Sequence, residues 1–204
     1  MRISPYISSG RDLFKNWLLL NFFPQASTSF NELVKTGSAA WGVDYGKLTL
    51  TTGATINSAV QVYLWMGNIA SLNWNFERRV KFNAYADYDT TQDIIIVSGD
   101  YSGNQYVGFK YINGVLSGIS KKTGVAEQAV VLDAAFFLSS ELSFILTANT
   151  RVQFFVDGVY KGEITSSIPT GTDDANFLVE TRLKNTVAAN RMMELYLVEF
   201  LQRR

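Results

Sequence analysis

The sequence predicts an all-β fold, an antiparallel two-sheet β-sandwich with at most one short N-terminal helix, and three observations predict it. From Gly46 onward apolar and polar residues alternate with a period of two rather than 3.6. Two dipeptides, Asn113-Gly114 and Asp157-Gly158, stand between alternating segments, and both accept the positive φ angles of a type I′ hairpin turn. Strand and helix patterns do not alternate along the chain, and only three prolines interrupt it.

The elements follow in order. The apolar run WLLLNFF at 17–23 is too short to span a bilayer and is broken by Asn21. The polar SSGRD at 8–12 fits a signal peptide poorly, so the run reads as the start of the mature fold. The spacing of Leu13, Trp17 and Leu20 suits one or two helical turns with Ser9 or Asp12 as N-cap; a buried strand is the alternative. Strands are expected over 47–51 and 59–65, then over LNWNFERRVKF at 72–82. There Leu72, Trp74, Phe76, Val80 and Phe82 share one face, while Asn73, Asn75, Glu77, Arg79 and Lys81 share the other. Arg78 alone breaks the pattern by falling on the apolar face. It is either paired with a carboxylate or snorkelling to an edge, or it makes a functional polar contact under the sheet. Further strands are expected over 93–98, 105–111, 115–120, 129–132, 142–147, 151–156, 160–166, 176–184 and 192–201, with a helical turn or corner over 133–140. Trp41 and Trp74 read as core residues. The usual strand lengths give about 11 to 14 strands in one sandwich or jelly roll. Without repeat or linker the chain reads as one unit over 1–204: a mobile arm at 1–11, the sandwich at 12–201 and a tail at 202–204.

Composition narrows the chemistry. Of the 204 residues 47% are hydrophobic and 18% charged, ample for a buried core. Eighteen basic residues balance eighteen acidic ones with no long run of either sign, so nucleic acid and anionic membrane are not expected as partners. Cysteine and histidine are both absent. That removes disulfides, thiol nucleophiles, Ser-His-Asp and Cys-His arrangements, and zinc sites built from the usual ligands.

Two clusters could carry a ligand. DYDTTQD brings Asp87, Asp89 and Asp93 into one expected loop, and Asp173-Asp174 form a second pair. Oxygen ligands of this kind suit calcium, the one cofactor these loops invite, although the Gly and terminal Glu of an EF-hand are missing. A solvated polar loop is the other reading. GVDYGK at 42–47 has the wrong spacing for a phosphate loop, and Leu48 stands where Ser or Thr should follow. The second cluster holds Tyr85, Tyr88, Tyr101 and Tyr106, with Asp100 and Asn104, on loops flanking the strand at 93–98. Aromatic faces beside Asp, Asn and backbone donors suit sugars, and loop tyrosines also serve protein interfaces or ordinary packing.

The order of pieces resembles a known family. Phe14 and Trp17 are followed by GSAAWGVDYGKLTLTTGATINSAV, FERRVKF, VSGDYSGNQYVGFKYING, SFILTANTRVQFFVDGVYKGEITSSIPTG and LYLVEF. Over roughly residues 12 to 200 this order is similar to concanavalin A-like (laminin-G-like) jelly rolls, of the kind found in phage and archaeal-virus structural proteins and in glycan-binding modules of hydrolases. FERRVKF at 76–82 followed by VQFFVDGVYKGEI and IPTG at 152–171 is its most specific element. The resemblance implies two stacked antiparallel sheets, one convex and one concave, with ligands on the concave face or its rim. The hydrolases of this fold carry E-x-D-x-E or E-x-D-x-x-E on one strand, whereas no Glu here is followed two positions later by Asp or Glu. Strict alternation also sets Glu194 and Glu199 on opposite faces. The expectation is therefore a non-enzymatic viral or phage structural or surface protein, serving in capsid decoration, spike or tail attachment. It would be located in the virion or outside the cell, would self-assemble, and would contact other structural proteins and host glycan. The alternatives are a secreted carbohydrate-binding lectin module and a polysaccharide hydrolase or lyase.

Overall fold

The computed structural model describes residues 17–22, 30–44, 47–65, 71–73, 77–86, 90–100, 104–133, 140–170, 172–176 and 178–203. Among them seventeen strands form and no helix. The first six are β1 (Trp17–Phe22), β2 (Phe30–Lys35), β3 (Ala40–Asp44), β4 (Lys47–Thr51), β5 (Ala59–Trp65) and β6 (Ser71–Asn73). The middle of the chain gives β7 (Arg78–Ala86), β8 (Gln92–Asp100), β9 (Gln105–Ile112), β10 (Val115–Lys121), β11 (Gln128–Asp133) and β12 (Ser140–Thr147). The last five are β13 (Arg151–Val156), β14 (Val159–Ile164), β15 (Thr172–Asn176), β16 (Leu178–Asn185) and β17 (Met192–Arg203). Every ladder is antiparallel. Sheet A runs β14-β13-β12-β7-β17-β4-β3 with β1 also on β17, sheet B runs β11-β10-β9-β8-β16-β5-β2, and β6 pairs with β15 in a small third sheet.

Alternation decides which side chains meet between the two large sheets. Along β7 Arg78, Val80, Phe82, Ala84 and Ala86 are buried while the residues between them are not. From sheet B, Ile94, Ile96, Val107, Phe109, Val179 and Leu183 join the same core. Phe109 stands edge-on to Phe82 at 6.3 Å and to Phe154 at 5.6 Å between ring centroids, the geometry that aromatic quadrupoles favour. Gly118 makes room for this cluster, since a Cβ there would lie 2.5 to 2.7 Å from the Phe154 ring. At one flank β14 approaches β11, with Gly162 against Val130. At the other, Trp41 of β3 packs against Phe30 of β2 and donates from Nε1 to Glu32 Oε2 at 2.9 Å. Trp41 is thus a core-flanking residue, as its alternation predicts, whereas Trp74 lies outside the described residues.

Several expectations change. The run at 17–22 is a strand, not a helix: it pairs residue by residue with β17, Trp17 opposite Arg203 through Phe22 opposite Val198. Local spacing favoured a helix, but a long partner strand satisfies the backbone instead. The proposed caps Ser9 and Asp12, the anchor Leu13 and the arm at 1–11 lie outside the described residues. Gln202 and Arg203 are not a free tail, because they complete β17. The single strand expected at 72–82 is two elements, β6 and β7, belonging to different sheets. The corner expected at 133–140 falls largely outside the described residues. Arg78 faces the interior at 1% exposure, so it neither snorkels nor reaches solvent. In β17 the register shifts between Leu195 and Leu197, a bulge that puts Glu194 opposite Tyr85 and Glu199 opposite Lys81. Both partners are outer positions of β7, so the bulge cancels the opposite-face assignment; four residues of strand, about 13 Å, still separate them.

Candidate functional site

The outer face of sheet B carries a second set of buried apolar side chains, Ile95, Val97, Tyr106 and Ile119, separate from the main core. Register explains how they come together. Tyr63, Glu180, Val97, Gly108 and Ile119 form one row across β5, β16, β8, β9 and β10. Gln61, Arg182, Ile95, Lys110 and Ser117 form the next row on the same five strands. A solvent-facing sheet surface ordinarily exposes such residues, yet Val97 and Ile119 are fully buried. Other parts of the chain therefore cover this floor of the outer face.

Polar groups flank that floor on two sides. At the β9 side Tyr106 Oη donates to Glu127 Oε2 at 2.6 Å and Lys110 Nζ donates to Glu127 Oε1 at 2.7 Å. Gly108, between them on the same face, leaves the space over which the two side chains converge. A Cβ there would also collide with the Ile96 carbonyl and Val97 Cα of β8, so the position tolerates no side chain. At the other side Glu180, 2% exposed, accepts from Gln61 Nε2 at 2.8 Å. Tyr63 and Arg182 border this pair and are half-buried.

The two carboxylates are held by different strands. Glu180 lies on β16 and leans toward β5, while Glu127 is held by side chains of β9, two strand spacings away in the opposite direction, about 10 Å. Retaining glycosidases need about 5 to 5.5 Å, and inverting ones about 6.5 to 9.5 Å.

The residues singled out from sequence scatter. Tyr106 belongs to the floor just described, and Asn104 sits exposed at the preceding turn with φ 63°. Tyr85 is on β7, pointing outward from sheet A, and so lies on the opposite side of the molecule from Tyr106. Asp100 ends β8. Tyr88 and Tyr101 lie outside the described residues, as do Asp87 and Asp89. Asp93 lies on β8 opposite Lys184 rather than in a loop. Among the described residues no three Asp or Glu side chains cluster to hold a metal ion. Sequence reasoning did not single out Gln61, Lys110, Glu127 or Arg182. Their one available signal was outward alternation on strands whose register the sequence does not disclose.

No protein-family model matches the sequence, and no curated protein matches it. Solved structures do. A Bacillus licheniformis β-glucanase superposes with a TM-score of 0.64 at 12% identity, covering 92% of this chain and 98% of its own. The fold is a concanavalin A-like jelly roll. A Shewanella oneidensis MR-1 protein of unknown function shares this jelly roll with a TM-score of 0.59 at 15% identity, over 95% of this chain and 89% of that one. Botulinum neurotoxin type C, which enters cells in dependence on interaction with two ganglioside molecules, contains it as well. That match has a TM-score of 0.55 at 11% identity, over 85% of this chain and 44% of the longer toxin chain. The jelly roll thus hosts an enzyme and a binding protein alike.

Proposed function

We propose that the chain is a non-catalytic binding domain that recognises carbohydrate on the outer face of sheet B. The observation that carries this is the arrangement of that face: the half-buried Tyr63, Gln61 and Arg182 adjoin on β5 and β16, beside the buried Glu180. An aromatic edge suits the apolar face of a sugar ring, and the neighbouring amide and guanidinium suit its hydroxyls. Each carboxylate at the site is engaged by a neighbouring donor and distant from the other, which disfavours hydrolysis. Fold alone does not choose between these activities. A glucanase and a ganglioside-interacting toxin sharing the fold support carbohydrate as the ligand class.

The setting that accords with the sequence resemblance is the surface of a virus or phage particle, where the domain would contact other structural proteins and copies of itself. A glycan array and reducing-sugar assays on a polysaccharide panel test the first reading: saturable binding without release of reducing ends is expected. Release of reducing ends would make the protein a hydrolase. Absence of binding to every glycan at millimolar concentration would leave protein interfaces as the function. Mass spectrometry of purified particles tests the setting.

A further inference from the structure

We propose that β3 is the edge through which two copies of this chain associate, their β3 strands paired antiparallel about a two-fold axis at Gly42. The inference gives a surface to the self-association named above and is independent of carbohydrate recognition.

The outermost strands of an open sheet present N–H and C=O groups that invite another strand, and folds ordinarily blunt them. Three edge strands here are blunted by a bulge of their own. The extra residue is Leu33 in β2, Lys161 in β14 and Leu132 in β11. β3 is not interrupted: Ala40 to Asp44 pair with Thr51 to Lys47 one for one, and the strand holds neither Lys nor Pro. β1 is also unbroken, but it lies beside β17 end to end with β4, one strand further in than β3.

Orientation leaves two residues of β3 ready to pair. The Ala40 carbonyl faces β4, where it accepts from Thr51 Oγ1 at 3.3 Å, so by alternation Gly42 and Asp44 face β4 too. Trp41 and Val43 therefore direct their N–H and C=O groups to the open side. A second β3, related by a two-fold axis at Gly42, sets Trp41 opposite Val43 of the other copy and Val43 opposite its Trp41. Outward groups then meet outward groups at both pairs, and an aromatic stands beside a β-branched side chain at each. Like charges do not meet, because Asp44, the one charge on the strand, falls opposite Ala40 of the other copy.

The isolated chain gives no reason for a glycine at 42. Its φ is not positive, a Cβ there would meet nothing within 4 Å, and glycine inside a regular strand is destabilising. Such a glycine marks the close approach of another backbone. At the axis the two Gly42 residues form a non-hydrogen-bonded pair with Cα atoms about 4.5 Å apart, where facing side chains crowd most. The contact is five residues a side, against about 20 to 30 in a standard stable interface, so the dimer separates on dilution.

The chain contains no cysteine, so a single substitution gives a single thiol. Sedimentation of the full chain at rising concentration is expected to show a monomer passing into a dimer. Gly42→Cys should cross-link on oxidation at least about tenfold faster than Ala40→Cys, because the axis brings the first pair within disulfide reach and holds the second about 13 Å apart along the strands. Gly42→Lys, which sets like charges face to face, should remain monomeric. A parent that stays monomeric up to about 1 mM, a Gly42→Cys that cross-links no faster than Ala40→Cys, or a Gly42→Lys that dimerises like the parent would overturn the assignment. Should Gly42→Lys not fold, the cross-linking rates decide the question. Glycan binding by a strictly monomeric chain would leave the carbohydrate reading standing and overturn this one alone.

Discussion

Gln61 Nε2 donates to Glu180 Oε2 at 2.8 Å on a diagonal across β5 and β16, whose directly opposed pairs are Gln61 with Arg182 and Tyr63 with Glu180. The contact fixes a buried carboxylate beside the buried Ile95 and Val97. A diagonal neighbour across a ladder lies within reach of a long amide but not of a short one. Removing the amide leaves Glu180 short of a donor in a place water reaches poorly. Gln61→Leu is expected to destabilise the fold by about 1 to 3 kcal/mol. Gln61→Asn should recover little, because its amide is one methylene short. Urea unfolding of the three proteins checks this, and a Gln61→Leu midpoint equal to the parent's would show that the bond contributes nothing.

Two glycines on neighbouring strands should behave differently when given a methyl group. At Gly118 the new Cβ would press on the Phe154 ring, a side chain that can shift by a fraction of an ångström. At Gly108 it would meet the carbonyl and Cα of β8, which cannot move without breaking the β8 and β9 ladder. Overpacking of the first kind costs about 1 to 3 kcal/mol. Gly108→Ala should therefore lower the melting temperature more than Gly118→Ala, and it should also disturb the site, because Tyr106 and Lys110 are positioned by the same ladder. The reverse order of melting temperatures would contradict the geometry.

The turn between β13 and β14 carries its own prediction. Asp157 and Gly158 have φ of 51° and 74°, the left-handed pair of a type I′ hairpin, and Val156 pairs with Val159 around them. Asp157 is tied further to Glu141, whose N–H donates to Asp157 Oδ1 at 2.8 Å and whose carbonyl accepts from the Asp157 N–H at 2.8 Å. A Cβ at Gly158 would meet no neighbour, so the cost of substitution is backbone strain alone. Gly158→Val is expected to cost about 1 to 2 kcal/mol, and Gly158→Asn markedly less, because Asn visits this region more readily. Thermal melts separate the two; a valine variant as stable as the parent would mean the turn is of another type.

What the sequence disclosed, and what it hid, follows from burial. Strands at 47–51, 59–65 and 151–156 coincide with their alternating patterns because one face of each is buried and the other is not. β2 escaped notice because only Phe30 of its six residues is buried, so an edge strand shows no alternation to detect. WLLLNF was misassigned because a continuous apolar run has no period; its partner on β17 decides it. The bulge between Leu195 and Leu197 shifts the register so that Glu199 stands opposite Lys81, and nothing local announces it. The site was least legible of all. Gln61 and Glu180 are 119 positions apart, and Lys110 and Glu127 are 17 apart, so only strand order brings them together.

Arg78 gives the last prediction, and its sign can be worked out. The guanidinium is buried at one end of β7, in line with Val80 and Phe82, and loss of hydration pushes its pKa well below the ordinary guanidinium range, to about 9. Below pH 9 the folded and unfolded chains both carry the charge, so Arg78 contributes no pH slope and the desolvation cost is present in full. Above about pH 9, up to the ordinary guanidinium range, the unfolded chain still binds a proton that the folded chain has released, so raising the pH favours folding through this group. Other groups titrate in the same range, and a variant lacking the guanidinium subtracts them. Arg78→Met keeps the length and the apolar stem. The difference in urea midpoint between the parent and Arg78→Met should be constant from pH 6.5 to 8.5, as rough bounds, and should move in the parent's favour above about 9. A difference that stays flat to about pH 10.5 would mean that Arg78 keeps its proton in the core.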